Sequence, residues 1–168
     1  MNAPFQVKTL DSSYDRTTFN SGSEPLDNYF KNQVTQDIKR RVTACFIAVT
    51  NENHIAGFYT LASSSMLLSD LPQEVLKKLP RYPSVPAIRM GRLAVDKNFK
   101  GQGIGGSLLI NALLRSSKSE IAAYALVVDA KDETASKFYK HHGFISLPNS
   151  PMVLFIPLAT ISKINQPQ

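Results

Sequence analysis

A mixed α/β fold is predicted for this chain, and three observations predict it. Short apolar runs of strand character alternate with stretches whose apolar residues recur every three to four positions. One such run, Leu93-Ala94-Val95, passes through a glycine-rich turn directly into a helical pattern. Apolar residues make up 43% of the 168, enough for one domain of this length to bury a sizeable core. A single domain over residues 1–168 is therefore expected.

Residues 5–10 read as a first short strand. Ser23-Glu24-Pro25 opens a helix, with Ser23 suited to the N-cap and Pro25 to the first turn. Leu26, Phe30, Val34 and Ile38 recur at helical spacing, which predicts an amphipathic helix. Residues 44–50 and 54–62 are strands joined by the turn residues Asn51-Glu52-Asn53. A short helix is expected over 72–79, begun by Ser69 or Asp70. The segment Leu79-Pro80-Arg81-Tyr82-Pro83-Ser84-Val85-Pro86 follows and reads as a stiff, extended surface loop inside the domain. Residues 87–95 are a strand, and 104–116 a helix burying Ile104, Leu108, Leu109, Ala112 and Leu113. Residues 124–130 form a buried strand and 132–142 another helix, stopped by Gly143 with His141 and His142 in its last turn. Strands at 144–147 and 152–156 flank a Pro-Asn-Ser-Pro turn, and the tail from 160 to 168 is expected to fray. No repeat or low-complexity segment is visible.

Nineteen Lys and Arg against thirteen Asp and Glu leave a formal charge of +6. That balance favours anionic partners: phosphorylated ligands, nucleic acid or acidic proteins. The single cysteine, Cys45, excludes an internal disulfide framework and a Cys-rich metal site, and its apolar neighbours mark it as a core residue. His141 and His142 lack a metal-ligand partner at useful spacing, so no metal is expected. No basic start precedes an apolar block, as a signal peptide would require. The longest uncharged stretch, residues 53–69, is too rich in Ser and Thr to span a bilayer. A soluble cytoplasmic protein is the expectation.

The turn between strand and helix carries Gly101, Gly103, Gly105 and Gly106. Its order places unpaired backbone N–H groups at a helix N-terminus, where the macrodipole adds partial positive charge. Glycines let an anion approach the main chain and permit positive φ, so the physical reading is a pyrophosphate cradle. A dinucleotide fold would place this turn early in a βαβ series, with an acid about twenty residues on. Here Glu120 precedes the next strand instead of ending it. A P-loop would end in Gly-Lys-Ser or Gly-Lys-Thr, and this turn ends Gly-Gly-Ser.

A second segment, Val127-Val128-Asp129-Ala130-Lys131-Asp132-Glu133-Thr134-Ala135-Ser136-Lys137-Phe138-Tyr139-Lys140-His141-His142-Gly143-Phe144, sets a tyrosine four residues before Gly-Phe. With Lys100-x-x-Gly103-x-Gly105, it resembles the acetyl-CoA site of the GNAT acetyltransferase superfamily. The resemblance implies a mostly antiparallel central sheet flanked by helices. It implies that Lys100, Gly101, Gln102, Gly103, Ile104, Gly105, Gly106 and Ser107 hold the pyrophosphate of acetyl-CoA. It further implies that Leu93, Ala94 and Val95 pair with the pantetheine arm and that Tyr139 protonates the departing thiolate. Two positions depart from the family pattern. Lys100 stands where Arg or Gln is usual, keeping a cation without a guanidinium fork. Asp132 stands where an Asn often touches pantetheine, and is suited to N-capping. Independently of any family, Asp132 and Tyr139 lie two helical turns apart on one face. A phenol of ordinary pKa about 10 is protonated at neutral pH and can serve as a general acid. The plainer alternative makes Tyr139 a core aromatic like Phe138.

A narrower resemblance runs along nearly the whole chain. Phe19-Asn20-Ser21-Gly22, Leu26-Asp27, Gly57-Phe58-Tyr59-Thr60-Leu61, Leu79-Pro80-Arg81-Tyr82-Pro83, Gly91-Arg92-Leu93-Ala94-Val95-Asp96 and Val128-Asp129-Ala130-Lys131 occur in the order seen in the TacT/AtaT group of GNAT toxins. That resemblance implies acetylation of the α-amine of the amino acid on charged tRNA, which blocks translation. It also implies a homodimer and a ribbon-helix-helix antitoxin partner. The chemistry agrees. A lysine amine of pKa about 10.4 needs a base, whereas an α-amine starts about two or more units lower. The strand from Ile88 to Leu93 offers no carboxylate. Lys77, Lys78, Arg81, Arg89 and Arg92 bracket the predicted site and are candidate RNA contacts. Lys39-Arg40-Arg41 is equally explained by the preference of cations for a helix C-terminus. The rival readings are a GNAT enzyme acting on a small amine or a protein N-terminus, and a non-catalytic module binding CoA or nucleic acid.

Overall fold

The computed structural model describes residues 5–164. Its elements are β1 (Phe5–Thr9), α1 (Glu24–Asn32), α2 (Val34–Lys39), β2 (Ala44–Thr50), β3 (Ile55–Leu67), α3 (Gln73–Leu76), β4 (Ser84–Val95), α4 (Ile104–Ser117), β5 (Ala125–Asp129), α5 (Glu133–His141), β6 (Ile145–Leu147), β7 (Ser150–Pro157) and α6 (Leu158–Ile164). The strands follow the hydrogen-bonded order β1-β2-β3-β4-β5-β7-β6. The pairs β1–β2, β2–β3, β5–β7 and β6–β7 are antiparallel. This is the expected mixed α/β fold. The chain divides into two compact units, one taking it through Ala62 together with Met90–Ala112, the other taking Ser63–Arg89 and everything from Leu113. β3, β4 and α4 each contribute to both.

In the first unit β2 pairs with β1 on one side and β3 on the other, joined to β3 through a turn in which Asn53 takes φ +64°. Its core is aromatic. Phe30 of α1 stacks on Phe58 of β3 with centroids 4.2 Å apart, and Phe19 meets both edge-on. Leu10, Tyr29, Val34, Cys45, Ile47, Val49, Ile55 and Ala94 complete this cluster. The amphipathic stretch is two helices, not one. Gln33 leaves helical geometry at φ −123°, and its carbonyl restarts the ladder by accepting from Gln36 and Asp37. Both halves still face the core, since Phe30 and Val34 are fully buried.

In the second unit Met66, Leu68, Leu71, Val85, Ala87, Ala125, Val127, Leu147 and Phe155 form the core. α3 is shorter than expected and starts after Pro72, while Leu68–Asp70 form a 3-10 turn. Only the first part of the proline-rich segment is loop. β4 already begins at Ser84, because Val85 is buried and the carbonyl of Pro86 accepts the Tyr124 N–H at 2.8 Å. A proline lacks a donor but keeps its acceptor, so it can enter a strand in that way. The tail expected to fray from 160 instead continues as α6 through Ile164. Leu158 is buried and its N–H bonds Tyr124 O at 2.8 Å, which anchors that helix. Residues 165–168 of the expected tail lie outside the described residues.

Candidate active site

The glycine turn lies in the first unit and is fixed from both sides. Asp96 follows β4 directly, is only 4% exposed, and accepts from the Asn98 N–H at 2.9 Å and the Asn20 N–H at 3.0 Å. Such charge-assisted bonds compensate the burial of a carboxylate. Gly101 (φ +82°) and Gly103 (φ +78°) then adopt left-handed backbone, and a β-carbon on either would meet nothing within 4 Å. Glycine is required here by conformation, and the space beside the main chain is open. Ile104 is buried and begins α4, whose Ser107 N–H bonds Gly103 O at 3.1 Å. The amides of residues 104–106 precede that bond and have no carbonyl one turn back to pair with. An open, left-handed glycine turn running into a long helix is a fitting cradle for a pyrophosphate.

Lys100 is exposed, and its ammonium donates to Ser21 O at 2.7 Å, using one of three donors. Ser21 is held in turn by Asp27, which accepts its N–H at 2.9 Å and its hydroxyl at 2.7 Å. Lys97 N–H reaches Asn20 O at 2.8 Å. Residues 19–22 therefore brace the glycine turn, a role the sequence reading missed. The short polar run Asn20-Ser21-Gly22-Ser23 signals a turn, but nothing local signals its distant partners. Of the expected pantetheine strand, Leu93 and Val95 are half-buried, while Ala94 packs into the core. Arg92 lies over the Tyr29 ring, 3.4 Å from its centroid, and the Tyr29 hydroxyl donates to Asp37 at 2.7 Å. Burial and that carboxylate push Tyr29 up to about 12. The guanidinium face is occupied by this stack, whereas its edge donors are not used by it.

Asp132 and Tyr139 lie in the second unit. Asp132 N-caps α5 by accepting the Ala135 N–H at 2.8 Å, and Gly143 ends the helix at φ +94°. Tyr139 is 7% exposed, with its ring 5.3 Å from Phe138 and 5.4 Å from Phe144. Burial, and secondarily the charge of Asp129, pushes its pKa up to about 12. Its hydroxyl is protonated throughout the neutral range. Among the five candidate RNA cations, Lys77, Lys78 and Arg81 are exposed. Arg89 is instead ion-paired to Asp129, and Arg92 is stacked as above. Cys45 is buried and its thiol is pushed up to about 12 by desolvation, so it does not supply a thiolate nucleophile. Among the described residues no group of His, Cys, Asp or Glu could hold a metal, and no helix is long and apolar enough to cross a membrane.

This fold, with its open glycine turn ahead of α4, defines an acyl-CoA-using transferase of the GNAT type. Residues 14–154 match the acetyltransferase (GNAT) domain family, and the chain belongs to that family. The tRNA-acetylating toxin of Mycobacterium tuberculosis is 32% identical over 157 residues, covering 92% of this chain and 91% of the relative. Among solved structures, AtaT complexed with acetyl-methionyl-tRNAfMet is similar with a TM-score of 0.89 and 29% identity, covering 96% of this chain and 99% of that one. A mutant AtaT toxin bound to the C-terminus of the antitoxin AtaR and acetyl-CoA is similar with a TM-score of 0.82 and 26% identity, covering 98% and 100%.

Proposed function

We propose that this protein is a toxin N-acetyltransferase that moves the acetyl group of acetyl-CoA onto the α-amine of the amino acid on charged tRNA, thereby inhibiting translation. One observation carries the reading: the turn with left-handed Gly101 and Gly103, open to solvent, leads directly into the N-terminus of α4. The relatives supply the acceptor class, since one is named for acetylating tRNA and another is solved with an acetylated aminoacyl-tRNA.

Acetyl-CoA, when bound, supplies an activated thioester that a neutral amine can attack. The amides of residues 101–107 hold the pyrophosphate, with Lys100 adding positive charge at the head of the turn. The main chain of Leu93, Ala94 and Val95 holds the pantetheine arm, and Asp132 fixes the start of α5. Tyr139 Oη keeps the proton that the sulfur takes up as its bond to the acyl carbon breaks. β4 carries no carboxylate between Ile88 and Leu93. An α-amine esterified to tRNA needs none, because a large share of it is neutral and water accepts its proton. Lys77, Lys78 and Arg81 contact phosphates, with Arg89 and Arg92 contributing once released from their present partners. Such contacts make affinity salt-sensitive without selecting a particular tRNA. The working form is a cytoplasmic homodimer held inactive by a ribbon-helix-helix antitoxin, in keeping with the AtaR complex of its structural relative.

The test is incubation with labelled acetyl-CoA and bulk charged tRNA. Label in the RNA fraction, released by alkali as acetyl-amino acid, is the expected result. Label only on free amines or protein N-termini would overturn the choice of acceptor, and no turnover with any amine would overturn the enzymatic reading.

A further inference from the structure

β4 and β5 are hydrogen-bonded neighbours in the sheet, and each gives two alternate residues to the core of the second unit, Val85 and Ala87 from β4, Ala125 and Val127 from β5. Two residues beyond Ala87 and Val127 the strands carry charge instead. Arg89 of β4 and Asp129, the last residue of β5, are ion-paired there. The pair is open to solvent, with side chains 37% and 61% exposed. Arg89 donates through Nη1 alone, to Oδ2 alone, and so does not use the two parallel bonds a guanidinium can give a carboxylate. Among the described residues no other hydrogen bond reaches the Asp129 carboxylate.

An exposed pair of this kind holds weakly, because water screens the attraction and the long arginine side chain must be ordered. A phosphate can engage both arms of the guanidinium, which Asp129 does not. Lys77, Lys78 and Arg81, exposed in the same unit, are the proposed contacts for tRNA phosphates. Asp129 meanwhile lies close enough to Tyr139 for its charge to push the phenol upward. An accessible carboxylate beside the proposed general acid is well matched to an amine, which offers N–H donors in its neutral and its protonated form alike.

Building on the acetyl-transfer reading above, we infer that Asp129 binds the α-amine of the acceptor and that Arg89 covers this carboxylate until a tRNA phosphate draws it away. The carboxylate accepts an N–H bond and takes no proton, which still leaves to water. Asp129 is thus an acceptor-binding residue and Arg89 a specificity residue. A charged tRNA uncovers the carboxylate with its own phosphates, whereas a phosphate-free amine must compete with the guanidinium.

The test compares wild type with Asp129→Asn, Arg89→Gln and the double variant, on charged tRNA and on an amino-acid methyl ester, reading kcat/KM, acetyl-CoA affinity and Tm. Asp129→Asn should lower kcat/KM about tenfold on both acceptors, as loss of one charge-assisted bond to substrate implies, with acetyl-CoA affinity unchanged. Arg89→Gln should act with opposite signs. On the methyl ester it frees Asp129 and should raise kcat/KM, by up to about fivefold for an exposed pair. On charged tRNA it should lower kcat/KM and cut the slope of log(kcat/KM) against log[salt] by about 0.9, one phosphate contact. In the double variant the gain on the methyl ester should vanish, because it acts through Asp129. Wild-type kcat/KM for Asp129→Asn on the methyl ester, a loss that tracks a fallen Tm, or an Arg89→Gln effect of the same sign on both acceptors would each overturn the inference. A wild-type enzyme that labels the methyl ester but not charged tRNA overturns the tRNA reading instead, and Asp129→Asn on the ester still decides the role of Asp129. A wild-type enzyme that labels neither overturns both.

Discussion

Replacing Gly57 by alanine should unsettle the glycine turn from a distance. Gly57 has ordinary φ, but a β-carbon on it would lie 2.7 Å from Ala94 O and 2.8 Å from Leu108 Cδ1. Both fall about 0.6–0.7 Å short of ordinary van der Waals contact. Ala94 O belongs to the β4 main chain, and Leu108 is fully buried on α4, so neither neighbour yields cheaply. Overpacking of this kind costs about 1–3 kcal/mol, and contact with main chain sets it near the top of that range. At about 2–4 °C per kcal/mol for a chain of this size, Tm should fall by roughly 6–12 °C. The displaced groups, Ala94 and Leu108, stand on either side of the turn, so acetyl-CoA affinity should drop as well. Thermal melts and calorimetric titration with acetyl-CoA check both effects. A Gly57→Ala protein that melts with wild type and binds acetyl-CoA equally well would refute the steric reasoning.

Gly103→Ala meets no clash, so it should cost only the strain of a left-handed residue, about 1–2 kcal/mol, while weakening acetyl-CoA binding. Gly103→Asn should cost less, and equal dissociation constants for Gly, Ala and Asn would show that φ is not the reason for the glycine. Asp132→Ala loses the cap on Ala135 and should destabilise by about 1 kcal/mol, whereas Asp132→Asn should keep it; melts in which both variants fall equally would count against capping. Tyr139→Phe should keep the fold and acetyl-CoA affinity and lower kcat by about 10²–10⁴-fold, and an active Phe variant would remove the assigned role. Because burial raises its pKa from 10.0 to about 12, the stabilising contribution of the protonated phenol is full below pH 10 and is lost as pH rises toward 12. In an ultraviolet titration, the phenol absent from Tyr139→Phe should be one that ionises near 12, and one ionising near 10 would contradict its burial.

What could be read from the sequence was local. Gly101 and Gly103, the cap at Asp132 and the stop at Gly143 each announce themselves within a few residues, because turn and cap chemistry acts over that range. The partners of charged side chains did not. Counting cations marked Arg89 and Arg92 as available, yet Asp129 and the Tyr29 ring already engage them. Asn20 lies 76 residues from Asp96 and Ser21 lies 79 from Lys100, separations at which spacing carries no signal. The strand start at Ser84 and the helix α6 were likewise decided by packing and by bonds to Tyr124, against the local preference of proline for loops and of a polar tail for fraying.

The braces around the turn explain how its geometry is fixed. Glycine reaches left-handed backbone without steric cost but is also free to leave it, and here Asp96 fixes the entry while the Ser107 bond to Gly103 fixes the exit. Between them Lys100 ties the turn to Ser21, which Asp27 in turn holds. None of these bonds uses the amides of residues 104–106. The polar compensation thus lies around the turn, and on the function proposed above the inner amides are left for an anion to complete. Preorganisation of this kind reduces what the ligand must order on binding. On the same proposal α1 takes a part in cofactor affinity, through Asp27, although no atom of α1 belongs to the glycine motif.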